Sequence, residues 1–395
     1  MIELIINKEK TLENILLAEN GKLLEAYTSD KEDKKRRLEG NIYVGFVGDI
    51  IKGMQSAFVD LSLERKGFIH LKDAIPQVDE TKEQIDRSLD IRQILKPKQK
   101  LLIQVKKDSD DKKGARVSTH ISIPGKFIVL MPNTGFITIS KKIEEENKKK
   151  NLIKSVKEIL PDGFGAVIRT SAEKASIDEI KNDTTKLLNT WKTIEEKFKK
   201  TNKPQLLWES ENIAEKIITD LSTKNLGKII TNSEEEYDRF KKILESDNSK
   251  IVVSLEKGKS LLEKYDFQQQ LEKLQNRKVW LNCGGFITID KTEALTAIDV
   301  NTGKFTGKKD LETTIFKVNQ EATIEIAKQL RLRDIGGIII IDYIDMQNKE
   351  NKEKIEQLLK TELKSDRAKT QVEGFTKLNL MELTRKHICS HLNTI

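Results

Sequence analysis

Asp299 and Asp342 each follow a run of apolar residues, in TEALTAIDVNTGKF (292–305) and IGGIIIIDYIDM (335–346). A carboxylate at the end of an apolar strand costs free energy unless something compensates it. Two such strands, linked by one helix, can place both acids at the same edge of a sheet. Paired oxygen ligands with positions left for water suit Mg²⁺. An ion bound there would lower the pKa of its water and stabilise charge on a phosphate. Asn301 stands two residues on, as a supporting donor for Asp299 or for a water. Asp345 is a secondary third acid. Lys304, Lys308, Lys309, Arg331 and Arg333 add cations in sequence, although Lys and Arg are ordinarily solvated. For one Asp alone a turn cap is the better account; the pair is what points to a metal.

The elements that must position these acids follow from periodicity. Residues 286–289 and 295–300 read as strands, 311–332 as a long helix, 337–342 as a buried strand, and about 350–365 as a second helix. Upstream, 2–6 is a strand, and 13–18 with 23–27 form a hairpin around Asn20-Gly21. A charged linker, KEDKKRR, fills 31–37. Short strands punctuated by glycine cover 40–73, a Lys-rich loop covers 106–113, and another strand region runs to Met131. The spacing predicts helical structure in 141–155 and an amphipathic helix over 174–202, with Ile177, Ile180, Leu187, Leu188 and Trp191 on one face. Residues 227–231 and 250–255 read as strands around a Glu-rich helix. No internal repeat is visible.

At 395 residues the chain is too long for one core, so several domains are expected. Lys and Arg outnumber Asp and Glu by 71 to 63, a net charge of +8. That excess suits a polyanionic partner, and equally a Lys-rich solvated surface. Cys283 and Cys389 form no pair pattern, which fits a reducing cytoplasm. The N-terminus lacks the apolar core of a signal peptide. The apolar runs are too short to span a membrane, so no membrane span is expected.

The string GNIYVGFVGDIIKGMQSAFVDLSLERKGFIHLKD (40–73) resembles the opening of an S1 domain. That is a five-stranded OB barrel whose sheet face binds oligonucleotides. Such a face needs aromatic rings to stack bases and cations near the phosphates. Phe58, Phe68 and His70 are candidate stackers, and Lys66, Lys107 and Lys113 are candidate phosphate contacts. The competing reading places Phe58 and Phe68 inside the barrel as core.

Taken together, these segments resemble the catalytic half of the bacterial ribonuclease E/G family. The most specific string is ALTAIDVNTGKF…IFKVNQEATIEIAKQLRLRDIGGIIIIDYIDM (294–346). The resemblance implies a multidomain α/β fold. It has an RNase H-like subdomain from 1–36 and 205–278, an inserted S1 barrel at 37–119, a 5′-sensor region at 120–204, and a DNase I-like catalytic subdomain at 279–395. It implies a cytoplasmic endoribonuclease that hydrolyses single-stranded, A/U-rich RNA to 5′-phosphate and 3′-hydroxyl ends, in rRNA and tRNA processing and mRNA decay. The family's metal acids match Asp299 and Asp342, and its supporting asparagine matches Asn301; Mg²⁺ is the implied ion, with Mn²⁺ as an allowed substitute. IPGKFIVLMPN (123–133) is similar to the family's sensor strand, giving Gly125 and Val129. FGAVIRTSAEKAS (164–176) is similar to its phosphate pocket, giving Arg169 and Thr170. Arg offers a fork of donors to a terminal phosphate. The RNA contacts implied are Phe58, Phe68, Lys107 and Lys113. Lys141 and Lys142 stand where the family often has two arginines, which weakens a bidentate role there.

The sequence also departs from the family. Family members carry a Cys-x-x-Cys motif after the nuclease segment, through which two chains share a zinc. No such pair follows here, so zinc is not expected, and a homo-oligomer would have to form without that link. His387, Cys389 and His391 alternate in LTRKHICSHLNTI (383–395), which on a strand would put all three on one face; a frayed terminus is the better reading. The alternative function is a non-catalytic S1-domain RNA-binding protein acting in translation or ribosome assembly. It accounts for the charge and the barrel but not for the two strand-end acids.

Overall fold

The structure, a computed structural model, describes residues 1–30, 37–75, 89–109, 113–221, 226–246, 250–258, 260–303 and 311–389. The chain is mixed α/β and divides into two compact units, 1–34 with 224–395, and 35–223.

In the unit 35–223, five strands close into an OB-like barrel. Ile42–Ile51, Ser56–Asp60 and Gly67–His70 form a meander, Gly67–His70 runs parallel to Arg116–Ser118, and Lys100–Lys107 closes onto Ile42–Ile51. Alternation decides what fills it: Ala57, Val59, Ile69, Ile103, Val105 and Val117 point inward and are buried. Gly45 is required by that filling. A Cβ there would lie 2.6 Å from a Val59 methyl and 2.7 Å from the Ile103 terminal methyl. A sixth strand, Gln205–Trp208, adds to the open side of Ile42–Ile51. Residues 205–208, which the sequence reading grouped with the N-terminal strands, thus pair in the barrel sheet.

The same unit holds a four-stranded sheet in the order Ile137–Ile139, Gly165–Ile168, Ile128–Met131, Ile123–Pro124. The helix Ile177–Lys200 lays Ile180, Leu187, Trp191 and Ile194 into its core, which also holds Ile128, Leu130, Ala166 and Ile168. Its start is fixed by a capping box, in which Ser176 accepts from the Glu179 amide and Glu179 accepts from the Ser176 amide. Ile177, expected on the buried face, is 60% exposed because it belongs to the first turn. The helical signal in 141–155 materialises at Glu146–Ile159.

In the other unit, a five-stranded sheet runs in the order Val252–Leu255, Leu226–Thr231, Ile2–Lys8, Leu12–Glu19, Lys22–Asp30. The first three strands of the chain are antiparallel, and the later two join parallel. Asn20 (φ 51°) and Gly21 (φ 74°) make the tight turn the Asn-Gly pair predicts.

The second sheet of this unit has the order Lys278–Trp280, Phe286–Lys291, Leu295–Asn301, Gly337–Asp342, Leu380–Arg385, Thr370–Phe375. Leu295–Asn301 and Gly337–Asp342 are parallel, joined by the crossover helix Leu311–Leu332. Val318, Ala322, Ile326 and Leu330 of that helix share a core with Ile298, Val300, Ile339 and Ile341. Among the described residues, only one sheet face is covered in this way. Gly337–Asp342, expected to be a buried strand, leaves Ile338 51% exposed and Ile340 half-buried. Arg385 anchors the sheet's far side: its buried guanidinium bridges Asp366 and Asp334 at 2.7 Å each. The Glu25–Arg367 pair at 2.6 Å, with Tyr27 hydroxyl on the same carboxylate, ties the two sheets together.

Candidate active site

Asp299 and Asp342 are register partners on adjacent parallel strands. Adjacent strands lie about 4.8 Å apart, so the two side chains leave the sheet side by side. Alternation sets their direction: Ile298, Val300 and Ile341 are buried against the helices, so the acids project from the opposite, open face. Both acids are exposed. The next residue, Tyr343, is locked into the core by a 2.9 Å hydrogen bond between its hydroxyl and Thr323 Oγ1. Buried Asn319 clamps the following backbone, donating to the Ile344 carbonyl at 2.8 Å and accepting from its amide at 3.2 Å. These contacts hold Asp342 in place from behind.

Burial pushes the Asp299 carboxyl above the ordinary carboxylate range, and the adjacent Asp342 charge adds to the shift. Arg277 works in the opposite direction, but its guanidinium is already bonded to Asp290, at 2.7 Å from Nη2. Two like charges held together by the register are what a divalent cation would relieve. The donor set, two carboxylates open to solvent, fits a hard ion that keeps several waters. Among the described residues no cluster of three or more His, Cys, Asp or Glu could hold a metal ion, so the pair stands without a third such ligand.

Asn301 lies on the same face as Asp299, two residues further along the strand. Its Oδ1 accepts from the Gly303 amide at 2.9 Å, which turns the chain out of the strand. Asp345 is exposed and accepts from Asn379 Nδ2 at 3.4 Å. Lys304, Lys308 and Lys309 lie outside the described residues. Arg331 and Arg333 are at the wrong end of the layer. The crossover helix returns to the start of the next strand, so its C-terminus lies away from Asp342; there Arg331 bonds Ser365 and Arg333 bonds Gln329. The His387–Cys389 segment follows the last strand rather than extending it. His387 Nδ1 lies 2.8 Å from the Asp334 carbonyl, and Cys389 is buried. The shared face those residues would need is therefore absent, and His391 lies outside the described residues.

On the barrel, Phe58 and Phe68 are cross-strand partners on the outer surface, with ring centroids 6.2 Å apart at 68°. The reading of these rings as barrel core is overturned, because Ala57, Val59 and Ile69 take the inward positions. Phe68 pairs in turn with Arg116, and Arg116 with Lys107. Lys107 and Lys113 are exposed. His70 caps the helix Leu71–Ala74 by accepting the Lys72 amide at its Nδ1, so its ring is committed locally. Lys66 is 3.7 Å from Asp49.

In the four-stranded sheet, Arg169 Nη1 donates to the Gly125 carbonyl at 2.7 Å, and Nη2 pairs with Asp220. Gly125 must be glycine: a Cβ would sit 2.7 Å from Leu187 and 2.8 Å from Asp183. Asp183 accepts from the Lys126 and Phe127 amides at 3.1 and 2.8 Å, closing the turn. Thr170 exchanges a 2.9 Å hydrogen bond with Ser140, and Val129 lies opposite Val167 in the sheet. The register thus gathers Gly125 and Arg169, while Thr170 and Val129 occupy neighbouring positions. Nearby Glu211 is pushed up to about 7 by burial and by the Glu215 charge.

Residues 122–388 match the family model described as "Ribonuclease E/G family". The chain belongs to the ribonuclease E/G family. It is 34% identical to Ribonuclease G of Salmonella typhimurium, over 97% of this chain and 79% of that protein. It is 35% identical to Ribonuclease G of Haemophilus influenzae, over 98% and 79%, and 33% identical to Ribonuclease E of a Nostoc species, over 88% and 51%. As a ribonuclease E/G protein it is an endoribonuclease, a hydrolase, and the non-catalytic alternative loses its support. The family is generally dependent on a divalent metal. Among the described residues no helix is long and apolar enough to cross a membrane.

Sequence reasoning missed one group on the sheet that bears the acids. Lys278, Trp280 and Phe286 share the open face with the acids. Their signal was the alternation in KVW and FITID, legible only once the strand order was known.

Proposed function

We propose that this chain is a single-strand-specific, Mg²⁺-dependent endoribonuclease whose ion is held by Asp299 and Asp342, with Mn²⁺ able to substitute. The observation that carries the reading is the Asp299–Asp342 register pair on the open sheet face. Mg²⁺, when bound, supplies charge stabilisation at the scissile phosphate and a water of lowered pKa. The two carboxylates orient that ion, and Asn301 steadies the end of the strand that carries Asp299 through its bond to Gly303. The products are a 5′-phosphate and a 3′-hydroxyl end, and the roles are rRNA and tRNA processing and mRNA decay in the cytoplasm.

The outer barrel face, with Phe58, Phe68, Lys107 and Lys113, grips unpaired RNA by stacking and charge. Arg169, Gly125, Thr170 and Val129 form a 5′-phosphate sensor. The three antiparallel and two parallel strands of the N-terminal sheet support an RNase H-like subdomain, and the sheet bearing the acids is the DNase I-like catalytic one.

The test is cleavage of a short 5′-monophosphorylated single-stranded RNA, with and without EDTA. Asp299→Asn and Asp342→Asn should each lower the rate on the order of 10³-fold, since a metal contributes several kcal/mol. RNA binding should be nearly unchanged. Wild-type turnover by either variant, or by the native protein in excess EDTA, would remove the assignment.

A further inference from the structure

Trp280 is 64% exposed, although Trp is highly buried on average. It sits on the edge strand Lys278–Trp280 with Phe286 as its cross-strand partner, ring centroids 5.4 Å apart at 65°. Lys278 Nζ lies over both rings, 4.0 Å from the Trp280 centroid and 3.4 Å from that of Phe286. The register ties this group to the acids. Lys278 lies in one row with Thr288, Asp299 and Asp342, and Trp280 in one row with Phe286 and Asn301. Two strand spacings, about 10 Å, separate Trp280 from Asn301 across the same open face.

We propose that Trp280 and Phe286 form a stacking subsite for an unpaired nucleobase next to the cleaved phosphodiester, with Lys278 as its phosphate contact. The inference rests on the nuclease reading of Asp299 and Asp342 and names a substrate contact for that site. An aromatic pair beside a cation is the composition that single-stranded nucleic acid selects, because every base has a π-face and every linkage a charge. Lys278 has a flexible four-carbon stem. Its ammonium can swing from the rings onto a phosphate while a base takes the ring face, so the cation–π contact is exchanged rather than lost. The subsite is continuous with the acids on one sheet face, which favours the RNA strand over a protein partner as its occupant. The barrel rings Phe58 and Phe68 belong to the other unit.

The experiment is a fluorescence titration in EDTA with a 5′-hydroxyl single-stranded oligoribonucleotide, which removes both cleavage and end-sensing. Trp191 is buried and Trp208 half-buried, so exposed Trp280 dominates quenching by a stacked base. Wild type should quench on binding. Trp280→Ala should lose most of the quench and bind about tenfold more weakly. Trp280→Phe should lose the quench and keep most of the affinity. Lys278→Ala should reduce the slope of log affinity against log salt by about one; it spares the aromatic pair and serves if Trp280→Ala fails to fold. Unchanged affinity and quench in Trp280→Ala, with Asp299→Asn still inactive, would overturn the subsite and leave the nuclease reading standing. Active Asp299→Asn would instead overturn that reading. If Trp280→Ala dissolves a self-associated form in sedimentation without altering RNA affinity, the face contacts another copy of the chain and the proposal fails.

Discussion

The acid pair and the Arg169 region solve opposite electrostatic problems. On the sheet that bears the acids, two carboxylates are held together by the register, and partial burial, with the Asp342 charge adding to it, raises the Asp299 pKa. In the four-stranded sheet, Arg169 is already matched by Asp220 and the Gly125 carbonyl, and the turn amides by Asp183. The first arrangement is one that a cation would relieve. The second is complete and must give up an internal partner to take a ligand. A site of the first kind gives all-or-none dependence on its ion, whereas one of the second kind gives a graded preference.

The sharpest way to break this contrast is the acid pair itself, where Asp299→Asn or Asp342→Asn should cost on the order of 10³-fold in rate, as above. Next in size are the barrel rings. Phe58→Ala and Phe68→Ala should each weaken RNA binding about tenfold by gel shift or anisotropy, with the cleavage rate at saturating RNA little changed; an equal loss in saturated rate would place these rings at the chemistry instead. The proposed sensor comes third. Arg169→Ala should level the preference for 5′-monophosphate over 5′-hydroxyl RNA. Asp220→Asn should sharpen it about fivefold, because an ion pair of this exposure contributes about 1 kcal/mol and no longer competes with the phosphate. A blunted preference in Asp220→Asn would mean that Asp220 positions Arg169 rather than occupying it.

The smallest effect concerns pH. Glu211 titrates near 7 in the folded chain, above its ordinary value of 4.5. The unfolded chain therefore releases this proton first as pH rises. Stability from this group is fully present below about pH 4.5, declines as pH rises, and is gone above about 7. Glu211→Gln should thus melt progressively higher than wild type between pH 5 and about 8 in parallel thermal scans. A constant gap would show that Glu211 does not carry the dependence.

Much was legible in the residues themselves. Asn20-Gly21 fixed a hairpin because both positions tolerate positive φ. Ser176 and Glu179 marked the helix start, since a capping box is a local device. The two acids and the helix between them were visible because a parallel pair needs a crossover of that length. Less was legible where partners come from afar. Asp220 is 51 residues from the guanidinium it neutralises, and no spacing rule links them. Gln205–Trp208 joined the barrel sheet for the same reason, its partner strand beginning at Ile42.

By itself, the sequence determined which side chains alternate along each strand, so Asp299 had to share a face with Asn301, and Phe58 had to oppose Ala57 and Val59 in direction. Only the tertiary structure decided which face each set received. Helix Leu311–Leu332 covers the side of Ile298 and Ile341, leaving the acids exposed and setting Trp280 in their company. The physical reason is that a period of two specifies two faces, while burial depends on what packs against the sheet and in which strand order.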